Sequence, residues 1–158
     1  MDAKLALLRH SVATLAYRGG KALRGAPAEF AGFRAAEGTR TPGEILAHVG
    51  DLLDWALSLA NGAQKWQNAP VSTWEEGSAR FFACLAALDA RLALDAPLGC
   101  SPEQLFQGPV ADALTHVGQI NMLRRMAGVP VKAENYFTAG ITAGNVASQQ
   151  PAPRVEFD

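Results

Sequence analysis

Apolar residues recur at intervals of three and four in four separate stretches of this chain, the spacing that lines up side chains on one face of an α-helix. In the first stretch, Leu5, Leu8, Val12, Leu15 and Ala16 draw one stripe. They predict a helix over about 3–17, with Gly19 and Gly20 weakening or ending it. In the second, Ile45, Val49, Leu52, Leu53, Ala56 and Ala60 form a core face over 42–61. Thr41-Pro42-Gly43-Glu44 marks its start with an N-cap threonine, a proline at the first helical position and a glutamate three residues after the cap. Asn61-Gly62 supplies its stop. The third, over 73–93, carries Phe81, Phe82, Leu85, Leu88 and Leu92, and Ser72-Thr73-Trp74-Glu75-Glu76 offers it two overlapping capping boxes. The fourth, over 109–127, opens near Gly108-Pro109 and closes at Gly128 with Pro130 beyond. Arg124 and Arg125 lie in its last turn, where positive charge complements the helix dipole. Ser101-Pro102-Glu103 can cap a short extra turn ahead of it.

No run of alternating β-branched residues competes with these helices. The expected class is therefore all-α, a single domain over 1–158 built as a four-helix bundle. Residues 18–40 and 93–107, rich in Ala, Gly and Pro, read as loops. The 62–72 connector can stretch ~36 Å at ~3.3 Å per residue, about the length of the second helix at ~1.5 Å per residue. A parallel pair of consecutive helices is thus within reach. From Val129 onward the chain reads as an irregular tail, with Asn135-Tyr136-Phe137 the piece expected to anchor on the bundle.

Composition narrows the function classes. Of 158 residues, 49% are hydrophobic and 18% charged, and the formal net charge is -1. That is a globular balance with no basic run, so neither nucleic acid nor an anionic membrane is expected as a partner. No apolar run approaches the ~20 residues that span a bilayer. The opening Met1-Asp2-Ala3-Lys4 and short Leu5–Leu8 stretch do not make a secretory signal. Cys84 and Cys100 are too few for a disulfide framework or a thiolate zinc site. The expectation is a cytoplasmic protein with reduced thiols.

The unusual chemistry lies on the fourth helix. Asp112, Thr115, His116 and Gln119 follow the i, i+3, i+4, i+7 rule and share a face with Leu123, Met126 and Ala127. A stripe that begins polar and turns apolar is expected to be buried along its length. An unsatisfied buried amide or hydroxyl costs ~1–3 kcal/mol and a charge more, so these groups need partners. One answer is a divalent cation held by His48, Asp112 and His116, since two imidazoles and a carboxylate suit a metal with open positions. His48 lies on the shoulder of the second helix's apolar face, with Trp55 and Leu59 continuing that shoulder as walls of a pocket. Gln119 would then support His116 or contact substrate. The other answer needs no metal: Asp112 and His116 form a salt bridge, and His48 is a hydrogen-bonded core histidine. His10 points away from its helix's apolar stripe and reads as solvated. Cys84 reads as core filler and Cys100 as a loop residue. Gly19-Gly20-Lys21 lacks the strand and spacing of a phosphate loop.

Thr41-Pro42-x-Glu44-Ile45-Leu46-x-His48 with Trp55 downstream, and His116-x-Gly118-Gln119-Ile120-x-x-Leu123-Arg124 followed by Gly128, resemble the DinB/YfiT-like superfamily of bundle proteins. The likeness spans roughly residues 3–128. It implies an up-down-down-up four-helix bundle and a divalent metal held by one histidine on helix two and a His-x-x-x-His pair on helix four. His48 and His116 match that pattern; Asp112 stands where the family has its other histidine. Aspartate can ligate, and it makes the donor set harder, so iron, manganese, nickel and zinc all remain open. Characterised relatives include transferases and isomerases that use low-molecular-weight thiols such as mycothiol or bacillithiol, and others are described as hydrolases. The resemblance therefore implies a metal-dependent transferase or hydrolase that activates a water or a thiol against a small-molecule substrate. The alternatives are a non-catalytic metal or small-ligand binding protein and a purely structural bundle. A homodimer through an exposed apolar helix face is compatible with either.

Overall fold

The computed structural model describes residues 2–94 and 96–157, so Met1, Asp95 and Asp158 of the expected domain lie outside the described residues. The chain is mostly helical: α1 (Ala3–Leu23), α2 (Pro42–Ala60), α3 (Trp74–Ala93), the short α4 (Pro102–Leu105) and α5 (Ala111–Met126). A two-stranded ladder, β1 (Ala133–Glu134) with β2 (Glu156–Phe157), completes it. The core gathers Val12, Leu15, Val49, Leu53, Phe81, Leu85, Leu88, Val110 and Ile120 from all the long helices. Among the described residues no helix is long and apolar enough to cross a membrane.

Helix α1 runs six residues past the expected end, straight through Gly19 and Gly20. Those glycines serve close packing instead of termination. A Cβ on Gly19 would stand 2.9 Å from Cε1 of the buried Phe81, and one on Gly20 would stand 3.3 Å from Cζ of Phe82. The Phe81 ring fits only because α1 has no side chain at Gly19, whereas at Gly20 the Phe82 ring would have to give by a few tenths of an ångström. Gly19→Ala is accordingly expected to lower stability by about 1–3 kcal/mol through overpacking, whereas helix propensity alone would raise it by ~1. Urea titration gives the sign, and a gain in stability would restore the reading of Gly19 as a mere weak point.

Helix α2 begins as expected. The Glu44 N–H donates to Thr41 Oγ1 at 3.2 Å, and Glu44 Oε2 accepts from the Thr41 N–H at 2.6 Å. For α3 the chain uses the second of the two available boxes, Thr73 with Glu76. That choice makes Trp74 the first helical residue, where its indole N–H donates to Leu23 O at 3.2 Å and closes the end of α1.

The fourth expected helix starts seven residues earlier than the sequence suggested. Ser101 and Gln104 form a capping box, and helical backbone continues from Pro102 through Met126. Pro109 lies inside it, not at its start. Proline has no N–H and its ring collides with the carbonyl four residues back. The helix accommodates it by widening into a π turn over Phe106–Val110. At the other end Gly128 has φ 76°, and Val129 N–H returns to Arg124 O at 2.9 Å. That is a Schellman closure.

Helices α1 and α2 each pack against both α3 and α5. Along α2 and α3, Arg80 donates to Ala47 O, Cys84 to Asp54 and Arg91 to Ala60 O, so residue numbers rise together. Between α1 and α3 they run oppositely: Arg9 meets Asp89, and Leu23 meets Trp74.

The tail is ordered on the outside of α1. Its anchor is Glu134, whose side chain is fully buried and accepts from Tyr17 Oη at 2.6 Å and Lys21 Nζ at 2.8 Å. Of the expected anchor Asn135-Tyr136-Phe137, only Tyr136 packs on the helix, edge-on to Tyr17 with ring centroids 6.3 Å apart. Phe137 is 97% exposed.

Candidate metal centre

His48 projects from the middle of α2 toward α5, which offers Asp112 and His116 one turn apart. The three donor groups converge: their ligand atoms all lie within 4.8 Å of one another. His116 Nε2 stands 3.4 Å from Asp112 Oδ1, and His48 Nε2 stands 4.0 Å from Asp112 Oδ2. The two imidazole rings meet edge-on at 4.8 Å between centroids. The side chain of His116 is 12% exposed, that of His48 24% and that of Asp112 48%, so the cluster opens to solvent on the carboxylate side.

Hydrogen bonding orients the His116 ring. Gln119 Oε1 lies 2.8 Å from His116 Nδ1. An amide oxygen only accepts, so Nδ1 carries a proton and Nε2 is the ring nitrogen that faces the cluster. This is the outer hydrogen bond that orients metal-binding imidazoles. The pKa of His48 is lowered, first by burial and then by the neighbouring charges of His116 and Arg40, against a smaller opposing pull from Asp112 and Asp51. His48 is therefore held neutral at pH 7, the form in which imidazole ligates.

The expected burial of the polar stripe does not hold. Asp112, Thr115 and Gln119 are exposed, as are Met122 and Met126. The buried face of α5 is Ala113, Val117, Ile120, Leu123 and Arg124. Asp112, His116 and Gln119 ride on its shoulder, facing the seam with α2. Thr115 is turned away, its hydroxyl bonded to Ala111 O at 3.0 Å on its own helix. It takes no part in the cluster.

Trp55 is one ring removed from the centre. It meets Trp66 at 5.7 Å, and Trp66 in turn meets His48 at 5.8 Å. Sequence reasoning missed Trp66. Its one signal was a large aromatic in an otherwise polar and small-residue connector. A hollow of about 480 Å³ opens beside His116 and Gln119, walled by Ile45, Met122 and Leu123 with Arg40 at its edge. Another, of about 560 Å³, lies on the Trp55 side with Leu59, Cys100 and Pro109.

Neither cysteine is built as a nucleophile. Burial, then the Asp54 carboxylate that accepts its S–H at 3.2 Å, pushes Cys84 up to about 12. Burial raises Cys100 as well. His10 is exposed, as expected.

Comparison of the chain with known protein families, with curated proteins and with solved structures finds no match.

Proposed function

We propose that this protein binds one divalent metal ion through His48, Asp112 and His116 and uses it as a DinB/YfiT-like enzyme of the transferase or hydrolase type. The observation that carries the reading is the convergence of two imidazoles and a carboxylate from two helices, one imidazole oriented by Gln119. The donor chemistry fits. The 3.4 Å between His116 and Asp112 matches the ~3–3.5 Å separation of neighbouring donors at ~2.0–2.1 Å from one ion. The remaining gap to His48 is within reach of a side-chain rotation. The contact runs between helices support the up-down-down-up bundle that goes with this family. Numbers rise together for α2 with α3, and for α1 with α4–α5 through Lys4–Glu103 and Ala22–Arg124. They run oppositely for α1 with α3, and for α2 with α5, where Ile45 shares a hollow with Gln119 and Leu123 while Leu59 shares one with Pro109.

When bound, the ion would act as a Lewis acid and lower the pKa of a water or low-molecular-weight thiol that reaches it. The chain's own residues do the rest. His48 stays neutral, and Gln119 holds His116 in place by accepting a hydrogen bond from its Nδ1–H. Trp66 and Trp55 screen the α2 side from water, and the hollow beside His116 gives a small-molecule substrate a largely apolar wall.

The test is elemental analysis of freshly purified protein. Wild type is expected to retain about one equivalent of zinc, nickel, manganese or iron per chain, and His116→Ala to retain far less. Wild type that keeps no metal after loading with each of the four leaves only an Asp112–His116 salt bridge. Metal retained without turnover in a thiol-plus-electrophile screen would make the protein a binder and not an enzyme.

A further inference from the structure

On the far side of α5 from the metal centre, a hollow of about 220 Å³ lies between α1, α5 and the docked tail. Its chemistry is cationic: Arg18 from α1, Arg125 from α5 and Lys132 from the tail all line it. Among the described residues none of these three makes an ion pair. Three cations around one small hollow are notable in a chain whose formal net charge is -1. Glu134 also borders it, but both its oxygens are already engaged by Tyr17 and Lys21.

Two further features make the hollow a shaped site. The Arg18 guanidinium lies 4.2 Å from the centroid of the Tyr136 ring, which orients it before any ligand arrives. The carboxamide oxygen of Asn121, which lines the hollow, is buried and has no partner among the described residues. Gly118, Asn121 and Arg125 share one face of α5 at i, i+3 and i+7. A mid-helix glycine costs ~1 kcal/mol relative to alanine. Packing does not account for Gly118, since a Cβ there would meet nothing within 4 Å. Its effect is to leave the hollow open.

We propose that this hollow binds a phosphoryl group, as inorganic phosphate or as the phosphate of a small hydroxylated monoester. Its volume is below the ~300–1,000 Å³ of pockets for larger organic ligands, so it takes an ion-sized head. A dianion with three terminal oxygens matches three cations lining one hollow, where a carboxylate would leave one idle. The site is independent of the metal.

Titration calorimetry with inorganic phosphate at constant ionic strength tests it. Wild type is expected to bind one phosphate, with affinity falling about tenfold or more in Arg18→Gln and in Arg125→Gln. Gly118→Leu, whose side chain enters open space and leaves the fold intact, is expected to block binding. His116→Ala should bind as wild type does. Tighter binding of glycerol phosphate would identify a soluble monoester as the ligand. Sedimentation with phosphatidate vesicles that free phosphate reverses would identify a lipid headgroup. No binding by wild type, equal binding by Arg125→Gln and Gly118→Leu, or loss of binding in His116→Ala would overturn the proposal.

Discussion

Truncating Arg124 to alanine is expected to lower the unfolding free energy by about 3–5 kcal/mol, the largest single-residue effect on stability outside the apolar core. Arg124 is 4% exposed and, among the described residues, pairs with no carboxylate. Its guanidinium donates to Ala22 O at 3.0 Å, Arg24 O at 2.6 Å and Val129 O at 2.8 Å. Burial lowers its pKa, so the charge is tolerated only because these carbonyls meet it. The last carbonyls of a helix have no partner within it. Arg124 and the Trp74 indole together close the end of α1, and Arg124 ties that end to the start of the tail. Removing the fork orphans up to three acceptors at ~1–3 kcal/mol each, softened by whatever water enters. Denaturant unfolding of Arg124→Ala beside Arg124→Lys reads the effect. Lysine should recover only part of it, because one ammonium cannot reproduce the fork. A loss under 1 kcal/mol in both would show that the carbonyls find water instead.

Glu134→Ala should be nearly as damaging, at about 3–5 kcal/mol, because it leaves the buried Tyr17 phenol without its acceptor and the buried Lys21 with only the partly exposed Glu156. The Lys21 pKa is raised: burial works against its charge, and the carboxylates of Glu134 and Glu156 more than offset that. Tyr17 is also raised, first by burial and then by Glu134. Both groups hold their protons more tightly folded than unfolded. Their stabilisation is therefore complete below about pH 10, near their ordinary values of 10.0 and 10.5, and is lost as pH climbs through the raised values. Fluorescence-monitored unfolding from pH 7 to 12 should show wild type losing stability above pH 10 and Glu134→Ala losing much less. Parallel curves for the two proteins would mean that the tail is docked by other contacts.

The helices were legible because their signals are local. The capping boxes at Thr41 and Thr73 and the glycine stop at Gly62 depend on neighbours within four residues, and each appears where the sequence put it. Errors came where distant residues decide. Gly19 reads as a helix breaker until Phe81 arrives from α3 to fill the space it leaves. Pro109 reads as a helix start because a π turn leaves no mark in the local pattern. At the candidate site, spacing alone brought Asp112, His116 and Gln119 to one face and named His48 as their neighbour across the seam. It put that face in the core, because Leu123, Met126 and Ala127 seemed to continue it. The apolar run Val110, Ala113, Val117 and Ile120 carries the true core face, turned about one residue around the helix. Arg124 looked like a dipole complement, and nothing nearby in sequence announces the carbonyls of α1 that it serves.

Trp66 has a consequence for how this chain can be altered. Since α2 and α3 advance in the same direction, the polypeptide must climb back along the whole molecule between them, and Trp66 rides on that return leg against His48. The roof over the histidine is thus a by-product of the journey home. Trimming this span in an engineered variant would tighten the path and lift the indole away, unroofing the seam without touching any helix.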